Sequence, residues 1–283
     1  MKKYVIKAPA KVNLSLDVVG KREDGYHDMC MLNHSITLAD KLTVRSVGTE
    51  IELRCSDPSL PQNSDNLVWR VAEGLRCEFG VSQGAEIVID KQIPSQAGLA
   101  GGSSDAAAAI LALNQCWQLN MSLETMYAFG ARYGADIPYC CFKGTAIVEG
   151  IGEKIIPIKP IRRMPVLVVK PPIDIATPWA FACLDNAETT VHPDIQKTVE
   201  CLETEDYMHL NDYVGNAFET VIFEAWPEIR ELKKQMYSFG ALTSVMSGSG
   251  STIVGYFDND KAIKKAAAFF EKRYELTFIS EIE

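Results

Sequence analysis

The segment with the clearest chemical potential is glycine-rich and runs from Pro94 to Asp105, P-S-Q-A-G-L-A-G-G-S-S-D. It follows a strand-like segment, 86–90, and leads into an alanine-rich segment, 106–114, that favours helix. The first N–H groups of a helix lack partners within it and lie at the positive end of its dipole. Glycines let the main chain turn tightly and approach a ligand. The order strand, glycine loop and helix therefore predicts a phosphate site.

The charges around this loop favour the same interpretation. Lys91 is the only ionisable side chain from position 91 to Ser104, and acidic residues resume at Asp105. Ser103 and Ser104 supply hydroxyls that can cap the helix, bind a phosphate oxygen or reach a metal ion. The alternative is an ordinary surface loop with a serine cap, because glycine loops of that kind are common.

The common nucleotide-binding motifs do not describe this loop. A Walker loop needs a lysine directly after its glycines, and a dinucleotide fingerprint needs G-x-G-x-x-G. Gly98, Gly101 and Gly102 satisfy neither spacing. The H-R-D and D-F-G motifs of protein kinases are also missing from the sequence. The groups that complete the site must therefore come from other segments.

Two of these segments offer a lysine, an asparagine and an aspartate. Lys11 and Asn13 lie two residues apart in a strand-like segment, so they share one face. That face either lines a cleft, or Lys11 is a solvated lysine and Asn13 an edge residue. Asp136 lies in G-A-D-I-P, after a predicted helix end. It can act on a ligand or simply form the hydrogen bonds that make aspartate common in turns.

Two further turns offer rings and a second set of glycines. Tyr26 and His27 end a charged turn and are suited to stack on a base and bind its edge. The alternative for this pair is ordinary packing at a surface turn. The turn 247–250, S-G-S-G, can close over phosphates or simply join two strands of a hairpin.

The whole composition restricts the class of protein. The chain has 283 residues, 47% of them hydrophobic and 23% charged, which is typical of a globular protein with two domains. A net charge of −9 disfavours nucleic-acid or membrane partners but not a small polyphosphate. The eight cysteines show no C-x-x-C pair and no metal-ligand spacing with the four histidines, which is typical of reduced thiols. No leader-like or membrane-spanning segment is evident, so we expect a cytoplasmic protein.

The periodicity of apolar residues predicts an α+β fold in two layers without internal repeats. Strands are predicted at 4–8, 12–18, 31–38, 41–47, 51–54, 146–148, 154–158, 166–170, up to 246, 252–257 and 276–279. Helices are predicted at 66–79, 106–114, 123–133 with Ser122 as cap, 178–184, 195–202, 213–224, 227–239 and 261–274. The proline-rich, basic stretch 157–165 is the predicted linker, which gives domains 1–158 and 159–283.

Three motifs, taken together and in order, carry a resemblance. P-A-K-V-N-L at 9–14, A-G-L-A-G-G-S-S-D-A-A at 97–107 and M-S-G-S-G-S at 246–251 resemble the three motifs of the GHMP kinases. The resemblance spans residue 5 to about 257. It implies a two-domain fold, with a strand-rich N-terminal ATP-binding domain, a C-terminal α/β substrate domain and a cleft between them. D-G-Y-H at 24–27, S-D-N-L at 64–67 and G-A-D-I-P at 134–138 resemble members whose substrate is a methylerythritol linked to cytidine diphosphate.

The resemblance also implies roles for single residues. Asp136 would take or orient the proton of the substrate hydroxyl, and Lys11 beside it would keep the carboxylate ionised and stabilise the charge passing to phosphate. Asn13 would bind near the erythritol end. The cytosine side would be formed by Tyr26, His27, Thr177 and Phe181. The ATP side would be formed by Asn66, Lys91, Pro94, Gly98, Leu99, Ala100, Gly101, Gly102, Ser103 and Ser104. No metal-carboxylate cluster is visible, so Mg²⁺ would be held by phosphates, water and a hydroxyl such as that of Ser104.

The chain departs from the family pattern at Ser95-Gln96 and at Ser251, and residues 185–215 carry no pattern that supports a transfer of roles. Two alternatives remain open. One is a GHMP kinase of the homoserine or mevalonate type, which the D-G-Y-H turn and Phe181 disfavour because those substrates have no base to stack. The other is a non-catalytic nucleotide-binding homologue, which the presence of Lys11 and Asp136 disfavours.

Overall fold

The computed structural model describes residues 3–159 and 161–283. The strands are β1 (Lys3–Lys21), β2 (His27–Ser46), β3 (Ile51–Cys55), β4 (Ala85–Asp90), β5 (Thr145–Gly150), β6 (Lys154–Pro157), β7 (Pro165–Lys170), β8 (Thr243–Met246), β9 (Ile253–Tyr256) and β10 (Leu276–Glu281). The helices are α1 (Leu67–Phe79), α2 (Gly101–Cys116), α3 (Leu123–Ala131), α4 (Ile137–Phe142), α5 (Thr177–Leu184), α6 (Ile195–Thr204), α7 (Glu219–Ala225), α8 (Pro227–Ser238) and α9 (Asp260–Phe270), with a 3₁₀ turn at Leu210–Asp212.

These elements form two compact units. The first comprises the described residues up to Ala10 together with Leu38–Ser95 and Ala100–Lys143. The second comprises Lys11–Thr37, Gln96–Leu99 and the described part of Gly144–Glu283. Strands β1 and β2 pass from one unit into the other, so each contributes residues to both.

In the first unit, β4 pairs with two strands. It runs antiparallel to the second half of β2, from Lys41 opposite Asp90 to Ser46 opposite Ala85, and parallel to β3. Helix α1 begins where the Asn66 side chain accepts a hydrogen bond from the N–H of Val68. The apolar face of α1 is buried, and α2 is buried along most of its length because its alanines allow close approach.

The second unit contains a four-stranded antiparallel sheet in the order β10-β7-β9-β8. Helix α8 packs on β8 and β9, and α9 packs on β7 and β10. The first half of β2 pairs with β5, and β5 pairs with β6, again antiparallel. A tight turn at 247–252 joins β8 to β9, and that turn carries the third motif.

The predicted α+β, two-domain fold is confirmed, while several boundaries differ. The four strands predicted between residues 4 and 47 are two long strands, β1 and β2. Residues 8–16 of β1 are buried on both faces, so this part of the strand lacks the apolar–polar alternation by which a half-buried strand is recognised in a sequence. Helix α2 begins at Gly101, earlier than predicted. Helix α4 was not predicted.

The helix predicted at 213–224 is wrong over its first half. Leu16 of β1 donates its N–H to the carbonyl of Gly215 and accepts from the N–H of Ala217, at 2.9 Å each. Because the Gly215 carbonyl and the Ala217 N–H are hydrogen-bonded to strand β1, they are not available to a helix, and α7 begins only at Glu219. The domain boundary at 158/159 stays a prediction, and Pro160 of the predicted linker lies outside the described residues.

Among the helices of the described residues, none is both long enough and apolar enough to cross a membrane.

Candidate active site

Lys11 and Asn13 lie on the same face of β1, as the strand alternation predicts. The Lys11 ammonium donates to Asn13 Oδ1 at 3.1 Å, and the Lys11 N–H donates to the carbonyl of Leu99 at 3.1 Å. Lys11 is only 5% exposed and Asn13 is fully buried. A buried ammonium is tolerated only where polar groups surround it, so this face of β1 is a built polar site and not a solvated strand edge.

Asn13 connects the first motif to the third. Its Oδ1 also accepts from the N–H of Gly248 at 2.8 Å, and its own N–H donates to Ser247 Oγ at 3.3 Å. Its Nδ2 donates to Asn33 Oδ1 at 2.5 Å. Both polar ends of the Asn13 side chain are therefore engaged, and the turn after β8 is held against β1.

The third motif is bound in turn to part of the second. Ser247 Oγ donates to the carbonyl of Gly98 at 2.9 Å, and Thr252 Oγ1 donates to the carbonyl of Ala97. Gly98 has a φ of +69°, and a Cβ at this position would overlap the Ser247 carbonyl. Only glycine combines this conformation with this approach, which explains the residue type in the motif.

The rest of the second motif forms the start of α2. Ala100, with a φ of +54°, is the residue before the helix, and Gly101, Gly102, Ser103 and Ser104 form its first turn. Neither serine caps the helix. The Ser104 hydroxyl is buried and donates to the carbonyl of Pro9 at 2.7 Å. The first N–H groups of α2 keep the orientation that suits an anion.

Lys91, which the resemblance assigns to ATP, is paired with two carboxylates. Its ammonium lies 2.5 Å from Asp40 Oδ2 and 2.8 Å from Asp105 Oδ2. The other oxygen of Asp40 accepts from the N–H groups of Gln92 and Ile93. Asp40 was missed in the sequence because it falls between the strands predicted at 31–38 and 41–47, where aspartate is typical of a turn.

The pairing changes the acidity of the groups involved. Burial lowers the pKa of Lys91, but the charges and hydrogen bonds of Asp105 and Asp40 outweigh it and raise that pKa. Burial and the charge of Asp40 raise the pKa of Asp105 to about 7. Within the part of the chain that the structure describes, Oδ1 of Asp105 is buried without a hydrogen-bond partner, which agrees with that direction.

Three other predicted residues lie in the first unit. Asn66 caps α1, accepting from the Val68 N–H at 2.9 Å and donating to the Pro61 carbonyl at 2.7 Å. Asp136 is half-buried, between the end of α3 and the start of α4, where its carbonyl accepts from the Cys140 N–H at 3.0 Å. Pro94 lies between β4 and α2 and is half-buried.

Two of the residues predicted for cytosine, His27 and Phe181, pack against each other in the second unit. His27 and Phe181 are stacked, with ring centroids 4.4 Å apart and an angle of 16° between their planes. His27 Nε2 lies 2.7 Å from Asp185 Oδ1, and Lys21 binds the other oxygen of Asp185. Hydrogen bonds from Lys21 and His27 lower the pKa of Asp185. Tyr26 is 62% exposed.

Asp185 was also missed in the sequence, because the segment that starts there carries no recognisable pattern. Thr177 lies at the start of α5, and its hydroxyl is 2.9 Å from Ser249 Oγ in the third motif. A pocket of about 430 Å³ opens beside this contact, lined by Gln96, Gly98, Asp174, Ile175, Ala176, Thr177, Ser249 and Gly250.

The described ranges contain no group of three or more His, Cys, Asp or Glu side chains arranged to hold a metal ion. The second unit collects Lys11, Asn13, Tyr26, His27, Gly98, Leu99, Thr177 and Phe181, and the first collects Asn66, Lys91, Pro94, Ala100, Gly101, Gly102, Ser103, Ser104 and Asp136.

Two segments of the chain match a known protein family. The family model for the GHMP kinases N terminal domain matches residues 66–144, and the model for the GHMP kinases C terminal domain matches residues 189–276. The 4-diphosphocytidyl-2-C-methyl-D-erythritol kinase of Lachnoclostridium phytofermentans is 42% identical over 94% of this chain and 91% of its own length. The enzyme of that name from Bacillus cereus is 40% identical, covering 99% of each chain.

A solved structure is similar over the same extent. The crystal structure of a 4-(cytidine 5'-diphospho)-2C-methyl-D-erythritol kinase matches with a TM-score of 0.85 and 29% identity, covering 99% of both chains. The three motifs and these matches define the class: the chain belongs to the GHMP kinase family. Within that family, both relatives and this solved structure are 4-diphosphocytidyl-2-C-methyl-D-erythritol kinases.

Because Lys91 is buried together with Asp40 and Asp105, we predict that the free energy of unfolding depends on pH. The carboxyl of Asp105 has a pKa of about 4 in an unfolded chain, and in the folded protein it is raised to about 7. As the pH rises between these values, the unfolded state loses its proton first, so the native protein loses stability. Asp105→Asn should remove this loss and raise the free energy of unfolding at pH 8 by roughly 1 to 3 kcal/mol.

Urea unfolding of the native protein and the variant from pH 4 to pH 8 measures this difference. It should shrink towards pH 4, where the carboxyl is protonated in both states. Asp258→Asn, at an exposed position, serves as the matched control and should change the free energy by less than about 0.5 kcal/mol. A difference that stays constant over this pH range would contradict the assignment.

Proposed function

We propose that the chain is an ATP-dependent kinase that phosphorylates the 2-hydroxyl of 4-diphosphocytidyl-2-C-methyl-D-erythritol, a step of the non-mevalonate route to isoprenoid precursors. The observation that carries the proposal is the buried network in which Asn13 binds Lys11 and the third motif while Ser247 binds Gly98 of the second. The names of relatives that match almost the whole chain support this substrate over homoserine or mevalonate.

The chemistry is in-line transfer of a phosphoryl group. The substrate oxygen forms a bond to the γ-phosphorus of ATP, the bond from that phosphorus to the β–γ bridging oxygen breaks, and ADP leaves with the electron pair. In our proposal Asp136 takes or orients the hydroxyl proton, and Lys11 stabilises the charge that passes to phosphate. The burial of Lys11 and its hydrogen bond to Asn13 support this role. A cation that is already held in place needs little reorganisation during the reaction.

The triphosphate is proposed to bind at the loop 98–100 and the first turn of α2. The first N–H groups of that turn and the positive end of the helix dipole favour phosphate. Mg²⁺ is proposed to arrive with the nucleotide, held mainly by phosphate oxygens and water. A hydroxyl such as that of Ser104, which donates to the carbonyl of Pro9 in this structure, is proposed to contribute as well. When bound, Mg²⁺ neutralises phosphate charge.

The cytosine is proposed to bind at the ring cluster of Tyr26, His27 and Phe181. The ring of Tyr26 is exposed, His27 and Phe181 supply an aromatic stack, and Asp185 fixes the imidazole of His27 through its Nε2 atom. Thr177 is proposed to contact the substrate from the start of α5. Asn66 and Lys91 are proposed to bind ATP.

The remaining proposals concern the setting of the enzyme. A cytoplasmic location is proposed from the cysteines, all eight of which carry free thiols. The partner is proposed to be a small molecule, with no nucleic acid or membrane, in keeping with the net charge of −9. Domains 1–158 and 159–283 remain our proposed division.

A coupled ADP-release assay with magnesium-ATP tests the substrate. We expect turnover with the cytidylated alcohol and none above background with homoserine or mevalonate, because only the first offers a base to the ring cluster. Turnover with homoserine or mevalonate alone would contradict the proposal. So would an absence of turnover with all three from folded protein that binds ATP.

Removal of the proposed proton acceptor should separate chemistry from binding. Asp136→Asn is expected to lower kcat by roughly 100-fold or more, since general base catalysis contributes about 10²- to 10⁴-fold. Binding of ATP, measured by calorimetry, should change less than about threefold. Asp258→Asn makes the same change at an exposed position and should leave kcat unaltered. Near-native kcat in Asp136→Asn would show that this carboxylate is not the base.

Loss of the stacking ring should affect one substrate only. Stacking of a base on an aromatic ring is worth about 1 to 3 kcal/mol, so Phe181→Ala should raise KM for the cytidylated alcohol by roughly 5- to 100-fold. KM for ATP should stay within about twofold. Phe79→Ala, at the exposed end of α1, is the control. An equal rise in both KM values would point to general damage and contradict base stacking.

A further inference from the structure

Asn216 lies between the 3₁₀ turn and α7 and is fully buried. Its Nδ2 donates to the carbonyls of Met246 at 2.7 Å and Gly248 at 2.8 Å. Its Oδ1 accepts from the N–H of Phe218 at 2.9 Å. Both N–H groups and the oxygen are therefore used. A flipped amide would place its oxygen against two carbonyl oxygens, so the contacts define one orientation.

The main chain around Asn216 is bound to β1. Leu16 donates to the carbonyl of Gly215 and accepts from the N–H of Ala217, forming an isolated parallel bridge with Asn216. The same strand carries Lys11 and Asn13. Asn216 therefore links β1 to the third motif through hydrogen bonds that do not involve Asn13.

The two asparagines hold Gly248 from opposite ends. Asn13 Oδ1 accepts from its N–H at 2.8 Å, and Asn216 Nδ2 donates to its carbonyl at 2.8 Å. Gly248 has a φ of +59°, and a Cβ at this position would lie 3.4 Å from the Cα of Gly98. Met246 is held in the same way, because Glu219 Oε1 accepts from its N–H at 2.8 Å.

A purely local role does not account for these contacts. An asparagine that precedes a helix needs only its oxygen, which here accepts from Phe218 two residues later. The two donors of Asn216 reach residues 30 and 32 positions further along the chain. Both of these acceptors lie at or beside the third motif turn.

We propose that Asn216 is a positioning residue for the phosphoryl transfer, fixing the turn 247–250 so that Asn13 and Gly98 keep the placement that the reaction needs. This inference rests on the proposed function. Asn216 does not touch the reacting atoms; it acts through Gly248 and Met246. Displacement of a catalytic contact by about 1 Å can lower a rate by roughly 100-fold, so a loosened turn should affect kcat more than ground-state binding.

The test is Asn216→Asp, which keeps the size and replaces the two donors by an oxygen. With the cytidylated alcohol as substrate, kcat of the variant should be roughly 10- to 100-fold lower than that of the native protein. KM for ATP and calorimetric ATP binding should change less than about threefold. Asn211→Asp is the matched control, because the exposed Asn211 amide also donates to a carbonyl, that of Leu242 at 2.6 Å. Its kcat should stay within about twofold of the native value.

The pH profile gives a readout that loss of stability alone would not produce. A protonated carboxyl at position 216 can donate to one carbonyl, so the ratio of variant to native kcat should rise as the pH falls from 8 to 6. If Asn216→Asp does not fold, Ser247→Ala provides the second variant. It removes the hydrogen bond from the turn to Gly98 and should give the same selective loss of kcat.

The outcomes separate the two claims. A folded Asn216→Asp variant with native kcat would overturn the positioning role, and so would a lower Tm with native kcat and a flat pH ratio. If the first variant does not fold, native kcat in Ser247→Ala would do the same. A native protein that is inactive on the cytidylated alcohol would overturn the proposed function, and the positioning role with it.

Discussion

The hydrogen bonds of the buried Asn13 amide are the interactions that hold the polar site of the second unit together. A fully buried side-chain amide must satisfy its donors and its acceptor inside the protein, because an unmade hydrogen bond there costs about 1 to 3 kcal/mol. Asn13 does so with Lys11, Asn33 and Gly248, which lie in a strand, its neighbour and a distant turn. These requirements bring the first and third motifs together, and Ser247 adds Gly98 of the second. Three segments far apart in sequence are thereby joined in one buried hydrogen-bond network.

Charge imposes the corresponding constraint in the first unit. An ammonium and two carboxylates are buried together at Lys91, Asp40 and Asp105, and Asp105 directly follows the first turn of α2 in sequence. The pair of carboxylates leaves a net negative charge, which the raised pKa of Asp105 relieves by favouring its protonated form. Asp40 also binds the N–H groups of Gln92 and Ile93, so the same cluster anchors the chain where it leaves β4. These hydrogen bonds therefore hold the chain in place directly before the glycine segment.

Much of this fold and site is predictable from residue patterns, and the exceptions have physical reasons. The glycine segment, the Lys11 and Asn13 face and the Ser122 cap follow from local geometry, and the family follows from three motifs in order. Asp40, Asp185 and Asn216 were missed because their partners lie 51, 158 and 30 or more residues away. The helix predicted at 213–224 failed for the same reason, since Leu16 binds the main chain at Gly215 and Ala217. Local periodicity carries no information about such tertiary partners.

The central claim is the transfer of one phosphoryl group from ATP to the cytidylated alcohol, and ³¹P NMR of the native protein's reaction mixture tests it most directly. The account predicts one new phosphomonoester signal, formed in equal amount to ADP, while the diphosphate of the cytidylated substrate stays intact. ADP accompanied only by inorganic phosphate, or cleavage of the substrate diphosphate, would contradict it.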